Sequence, residues 1–191
     1  MITLIAGLLI FLGLHSIRIV ADDWRSAQIA RRGEKAWKLG YTAVSLASFG
    51  LILWGFHLAR QAPIVLWPHI DGMHHVAGPL MVLAFILLAA AYVPRNHLKA
   101  KLGHPMVLSV KTWALAHLLA NNTLADLLLF GGFLAWSVVA YAALRRRDRA
   151  AGVVPPAGTT MGTVLTIVIG VVAAIFFAHW AHAWLFGVSP F

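Results

Sequence analysis

The sequence predicts an all-α, polytopic membrane protein, a helical bundle of about six transmembrane helices. Of its 191 residues, 61% are hydrophobic and only 11% are charged, and the mean hydropathy is +0.82. This composition is too apolar for a soluble domain of that size. The apolar residues fall into six windows of helix length, and most basic residues lie between those windows. We expect residues 1 to 191 to form a single transmembrane domain in the lipid bilayer.

The six windows have roughly the length that a membrane-spanning helix requires. They cover residues 2 to 21, 38 to 59, 74 to 93, 105 to 121, 123 to 144 and 160 to 187. A span needs about 20 apolar residues, with about 17 as the lower limit, so the fourth window is marginal. The first window lacks the basic flank and small-residue cleavage site of a secretory signal, so we expect it to be retained as the first span.

The basic residues concentrate in alternate loops. Of the 15 lysines and arginines, 12 follow the first, third and fifth windows: Arg25, Arg31, Arg32, Lys35, Lys38, Arg95, Lys99, Lys101, Arg145, Arg146, Arg147 and Arg149. The positive-inside rule then places these loops in the cytoplasm and both termini outside it. Because the membrane topology explains the net charge of +9, we expect no nucleic-acid partner.

The first window carries two polar residues one turn apart on one face, His15 and Arg18. In one interpretation, Arg18 extends to the cytoplasmic interface and His15 bonds a neighbouring backbone carbonyl. In the other, His15 is a metal or haem ligand and Arg18 pairs with a haem propionate. The following segment, residues 21 to 38, has the amphipathic charge pattern of a short helix at the membrane surface.

Several polar side chains lie between residues 103 and 122, a stretch that includes the marginal fourth window. His104-Pro105 favours a helix start, and the asparagines at 121 and 122 favour its end. Between them Trp113, His117 and Asn121 recur every four residues and share one face. An imidazole inside a span is costly unless it has a partner, so His117 is a candidate functional residue.

The remaining windows add one cap and one further histidine pair. Thr123 and Asp126 have the spacing of a helix-capping box, so we expect Asp126 to cap the fifth helix. His179 and His182 share a face near the end of the sixth window, in a zone rich in tryptophan. The chain contains no cysteine, which excludes disulfides, thiolate-ligated haem, c-type haem attachment and cysteine zinc sites.

Six segments spread over nearly the whole chain resemble those of the NnrU family of bacterial inner-membrane proteins. They are FLGLHSIR at 11 to 18, RRGEKAW at 31 to 37, AYVP at 91 to 94, GHPM at 103 to 106, WALAHLLAN at 113 to 121 and HAWLFGVSP at 182 to 190. The resemblance implies an inner-membrane protein associated with nitric oxide and denitrification metabolism. The family is similar to the plant 15-cis-zeta-carotene isomerase, which implies haem b with His15 and His117 as its axial ligands.

Helix geometry raises an alternative to that ligand pair. At 1.5 Å per residue, His15 is expected about 9 Å from the cytoplasmic end of its helix and His117 about 18 Å from the end of its own. Axial ligands of one iron need similar depths, and His182 or His75 would match His117 better. His182 is therefore the alternative ligand, with Arg18, Trp113 and Asn121 as further candidate cofactor contacts.

Three functions stay open at this point. The first is a haem protein that supports nitric oxide or respiratory redox metabolism, with a diatomic gas as ligand if one coordination position is open. The second is haem-dependent cis-trans isomerisation of a lipophilic polyene. The isomerase relatives carry a cysteine three residues before the second ligand, where this chain has Ala114, so a thiolate-dependent mechanism cannot operate. The third is a structural membrane bundle without a cofactor.

Overall fold

A computed structural model describes residues 1 to 190. These residues form nine α-helices: α1 (Ile2–Val20), α2 (Asp22–Arg32), α3 (Glu34–Gln61), α4 (Met73–Tyr92), α5 (His97–Leu102), α6 (Pro105–Ala120), α7 (Leu124–Ala150), α8 (Thr160–Phe176) and α9 (His182–Phe186). A π-helical turn, Phe177–Ala181, joins α8 to α9. Five helical stretches are long and apolar enough to cross a membrane, and α6 is a shorter apolar helix. The predicted all-α membrane bundle is confirmed.

Helix boundaries differ from the sequence prediction in three places. The arginine-rich segment at 145 to 149 does not end α7, which continues to Ala150, because arginine is a good helix former. The third loop, which lies outside the six windows, contains the short helix α5. The sixth window is interrupted by the π-helical turn. The surface helix expected in the first loop is present as α2.

The fold divides into two compact units. The first unit contains Met1–Pro68 and Asn122–Trp136, and the second contains His69–Asn121 together with residues 137 to 190. The first unit therefore holds α1, α2, α3 and the beginning of α7. The second holds α4, α5, α6, the rest of α7, α8 and α9. The sequence-based expectation of one domain stays a prediction.

In the first unit, α1 and α3 pack antiparallel with their backbones in close contact. A Cβ atom built at Gly7 would lie 2.8 Å from the backbone nitrogen of Ile52, and one built at Gly55 would collide with the backbone of Leu4. Leu4 is fully buried in this contact. Without a hydrophobic driving force between helices in lipid, such close backbone approach supplies much of the packing energy.

The start of α7 is fixed within the same unit by hydrogen bonds and by its predicted cap. The backbone nitrogen of Leu124 donates to the carbonyl of Ile64 at 2.8 Å. The backbone nitrogen of Thr123 donates to Asp126 Oδ2 at 3.1 Å, and the backbone nitrogen of Asp126 donates to Thr123 Oγ1 at 3.3 Å. This reciprocal pair is the expected capping box, so the assignment of Asp126 to a cap is confirmed.

In the second unit, α4 packs against both α6 and α8. The face of α8 that packs inward is a stripe of small residues at every fourth position: Gly162, Thr166, Gly170 and Ala174. A Cβ atom at Gly170 would lie 2.5 Å from the Cα atom of Ile86 on α4. On the α6 side, Ser109 Oγ donates to the carbonyl of Ala84 at 2.7 Å. Small residues and an interhelical hydrogen bond thus hold this unit together.

Candidate functional site

His15 lies on α1, in the half that the positive-inside rule predicts to be nearer the cytoplasm. A backbone carbonyl fixes the tautomer of its ring. Its Nδ1 lies 2.7 Å from the carbonyl oxygen of Phe11, one turn earlier. A carbonyl can only accept, so Nδ1 carries the proton and Nε2 carries the lone pair. This is the carbonyl bond expected in the first interpretation of His15. It is compatible with the second interpretation as well, because the bond uses only Nδ1 and Nε2 keeps its lone pair.

Three aromatic rings surround the His15 imidazole. The ring of Phe11 stacks on it at a centroid distance of 4.1 Å. Tyr41 of α3 meets it edge-on at 5.3 Å and Trp136 of α7 at 6.2 Å. The indole Nε1 of Trp136 is buried and has no hydrogen-bond partner among the described residues. Unpaired buried donors cost stability, so this N–H is a candidate contact for a bound ligand.

A cavity of about 270 Å³ opens beside His15, where α1, α2 and α3 meet. Its lining includes His15, Arg18 and Tyr41, so the shared face of His15 and Arg18 expected from their spacing is confirmed. Drug-sized ligands occupy roughly 300–1,000 Å³. This cavity is therefore sized for a small anion or for one edge of a larger molecule.

Hydrogen bonds connect the three residues of the α6 stripe, Trp113, His117 and Asn121. His117 Nδ1 lies 2.9 Å from the carbonyl oxygen of Trp113, and the two rings are 5.3 Å apart. The Asn121 side chain donates to the carbonyl of His117 at 2.8 Å. Asn121 has extended backbone angles and ends α6 as its C-cap. His117 thus repeats the arrangement of His15, whereas Asn121 closes the helix end.

His182 follows the π-helical turn directly. Its Nδ1 lies 2.7 Å from the carbonyl oxygen of Val188, and its ring contacts those of Phe177 at 6.0 Å and Phe186 at 5.1 Å. A π-helical turn inserts one extra residue and rotates everything that follows, and such turns are frequent at functional sites. No residue of Phe177–Ala181 marks this turn, since the segment contains neither proline nor glycine.

The three histidines expected as ligands therefore share one property, an Nδ1 that donates to a backbone carbonyl. Metal-ligating histidines commonly have this second hydrogen bond, which fixes the ring and makes Nε2 more basic. His15 belongs to the first unit, and His117 and His182 belong to the second. Over residues 1 to 190, no group of three or more histidine, aspartate and glutamate side chains is arranged to hold a metal ion.

Two site residues were not found from the sequence. Tyr41 and Trp136 reach His15 from helices distant in the chain, and no local pattern marks them. His104, expected at the start of this helix, is the N-cap of α6 but makes no side-chain capping bond. Its Nε2 instead lies 2.9 Å from Asp148 Oδ2, a contact that was not predicted. The sequence feature that could have indicated this contact is Asp148 itself, the single acidic residue among the four arginines of segment 145 to 149.

The comparisons with known proteins bear on the whole chain. No curated protein and no solved structure matches it. The sequence model of the family described as NnrU protein matches residues 3–190. Nearly the entire described bundle, including each histidine discussed above, falls within that match. The chain therefore belongs to the NnrU family.

Proposed function

We propose that this membrane protein binds haem b through the imidazoles of His15 and His117 and acts in nitric oxide or denitrification-related redox metabolism. His182 is the alternative axial ligand. The observation that carries the proposal is the Nδ1 hydrogen bond to a backbone carbonyl at each of these histidines. That bond holds the ring in one orientation and assigns its proton to Nδ1, as is common for histidines that bind a metal through Nε2.

The residues around His15 fit the chemistry of haem. Neutral imidazoles are the usual axial ligands of b-type haem, whose iron supplies electron transfer or diatomic-gas binding. Arg18 lines the cavity beside His15 and would meet the carboxylate of a propionate. The unpaired N–H of Trp136 is a second candidate donor to it. The cavity volume of about 270 Å³ suits a haem edge rather than the whole macrocycle.

Each of these side chains has a separate task. His15 and His117 would supply the ligand nitrogens, and the carbonyls of Phe11 and Trp113 hold the rings in orientation. The aromatic rings about His15 support its imidazole on three sides. Asn121 secures the end of α6, one turn beyond His117. Two imidazole ligands would favour electron transfer, and one would leave a position for a gas.

The test is a reduced-minus-oxidised optical spectrum of the detergent-purified protein, produced with haem supplied. We expect a b-type signal that His15→Ala and His117→Ala each abolish or convert to a high-spin form. His57→Ala is the matched control, because His57 lies on α3 outside the cavity and pairs with the Gln61 side chain at 3.2 Å.

Three outcomes separate the alternatives. Loss of the signal in His182→Ala but not in His15→Ala would make His182 the ligand. An unchanged signal in His15→Ala, His117→Ala and His182→Ala would overturn the assignment of ligands. Folded protein that takes up no haem would overturn the proposal and would favour a bundle without this cofactor.

A further inference from the structure

The cavity beside His15 contains cations that the haem proposal leaves unused. Arg25 of α2 and Lys38 of α3 line it together with Arg18, against one carboxylate, that of Glu34. The Lys38 ammonium lies 2.8 Å from Glu34, and the Arg25 guanidinium lies 3.6 Å from Asp22. The Lys38 pair is solvent-exposed and the Arg25 pair is half-buried, and surface ion pairs of this kind contribute little stability. The lining therefore carries three cations against one carboxylate.

The same cavity also has an apolar wall and lies at the end of two membrane spans. Leu14, Ile17 and Ile29 line it next to the charged groups, as does the indole of Trp37. Because α1 and α3 are candidate spans joined only by α2, the cavity must lie near one membrane surface. Trp37 meets Trp24 edge-on at 5.8 Å, and tryptophans at span ends are typical of the headgroup level.

We propose that this cavity binds the phosphate of an anionic phospholipid, held by Arg25 and Lys38, with the glycerol and upper acyl chain against Leu14, Ile17 and Ile29. The volume of about 270 Å³ suits a headgroup better than a whole lipid. Basic pockets between helices near a membrane surface recognise phosphate headgroups in this way. The inference shares this cavity with the haem proposal but uses other cations, since neither Arg25 nor Lys38 is assigned to the cofactor.

Two sources could supply a phosphate, a lipid headgroup or the free ion. The apolar wall favours the lipid, because a free phosphate gains nothing from Leu14 or Ile29. A lipid headgroup is also present at this surface at all times, whereas a free ion must compete with water for exposed cations. The lipid headgroup is therefore the proposed ligand, and the experiment distinguishes it from free phosphate.

The experiment is native mass spectrometry of the delipidated full chain in detergent, titrated with phosphatidylglycerol or with phosphatidylcholine of the same acyl chains. We expect preferential retention of phosphatidylglycerol, weakened about tenfold in the double variant Arg25→Gln/Lys38→Gln. Arg31→Gln/Lys35→Gln is the matched control. It removes one cation from α2 and one from α3, both exposed and outside the cavity lining, and should bind like the wild type.

Four results would overturn the proposal: equal binding of the two lipids, equal loss in both double variants, displacement of the lipid by inorganic phosphate, or displacement by haem. The third would assign the cavity to the free ion, and the fourth would assign it to a propionate. If Arg25→Gln/Lys38→Gln does not fold, photo-crosslinking of wild-type protein with photoreactive phosphatidylglycerol decides instead. Labelling between residues 14 and 42 supports the site, and labelling elsewhere refutes it.

Discussion

Single residues in the α6 stripe have different tasks although their spacing is the same. Trp113, His117 and Asn121 follow one another at every fourth position, yet only His117 has an imidazole, the side chain that commonly binds haem iron. The Asn121 amide donates to the His117 carbonyl at 2.8 Å, and Asn121 itself lies beyond the last helical residue. It is therefore explained by the helix end, and a direct contact with a cofactor is not required.

Asn121→Ala should lower the free energy of unfolding by about 0.5–1.5 kcal/mol, because one side-chain hydrogen bond at the helix end is lost. Thermal unfolding in detergent measures this change. The haem spectrum should stay that of the wild type, in contrast to His117→Ala. A variant that unfolds normally but loses the haem signal would show that the amide contacts the cofactor.

At the scale of helices, contact between elements depends on where small residues meet a neighbouring backbone. Ser45, Ser48 and Gly50 are small residues of α3, the type that suits close helix contact. Ser48 is buried at 1% exposure. A Cβ atom at Gly50 meets nothing within 4 Å, whereas one at Gly55 collides with α1. Gly50 therefore makes no close contact with another helix, because residue size alone does not show which face of α3 meets α1.

Gly55→Ala should destabilise the protein by about 1–3 kcal/mol, because the new methyl group must displace the backbone of α1. Gly50→Ala, on the same helix, should be neutral or stabilising by up to about 1 kcal/mol, since alanine favours the helix. Chemical or thermal unfolding of both variants in one detergent provides the comparison. Equal stabilities would refute the close contact between α1 and α3.

The interhelical bond of Ser109 gives a second comparison at this scale. Ser109→Ala removes a hydroxyl that bonds α4 across a buried contact, so we expect a loss of about 0.6 kcal/mol, at most about 1.7. Ser48→Ala removes a buried hydroxyl that bonds the Val44 carbonyl of its own helix at 2.7 Å, and should cost less. The reverse order in unfolding experiments would contradict the assigned role of Ser109.

For the whole molecule, the membrane topology depends on whether α6 crosses the bilayer. At 16 residues and 1.5 Å per residue, α6 is about 24 Å long, shorter than a hydrocarbon core of about 30 Å. If α6 crosses, the arginine-rich end of α7 lies in the cytoplasm, as the positive-inside rule predicts. If it does not, that end lies outside. Crossing is therefore our expectation.

The absence of native cysteine permits a direct test, because any introduced cysteine is the only thiol. Ala62→Cys, in the second loop, should react with a membrane-impermeant maleimide in intact spheroplasts. Ser26→Cys on α2 and Ala151→Cys after α7 should react only after the membrane is permeabilised. Labelling of Ala151→Cys in intact spheroplasts would place that loop outside and would show that α6 does not cross.

The fold class, most helix boundaries, α2, the α7 capping box and the shared face of His15 and Arg18 were all predictable from the sequence. Each of these depends on hydropathy, charge or spacing within about one helix of chain, so local sequence suffices to predict it. The family, too, was recognisable from short motifs, and the match over residues 3–190 confirms it.

Which helices pack against each other, and which side chains surround the histidines, could not be predicted from the sequence and are known from the three-dimensional structure. Tyr41 and Trp136 meet His15 because α3 and α7 return to α1, and the Asp148 carboxylate meets His104 across 44 positions of sequence. The π-helical turn before His182 likewise has no local signature. These contacts join residues far apart in the chain, and their geometry depends on close packing between helices, which periodicity within one helix cannot specify.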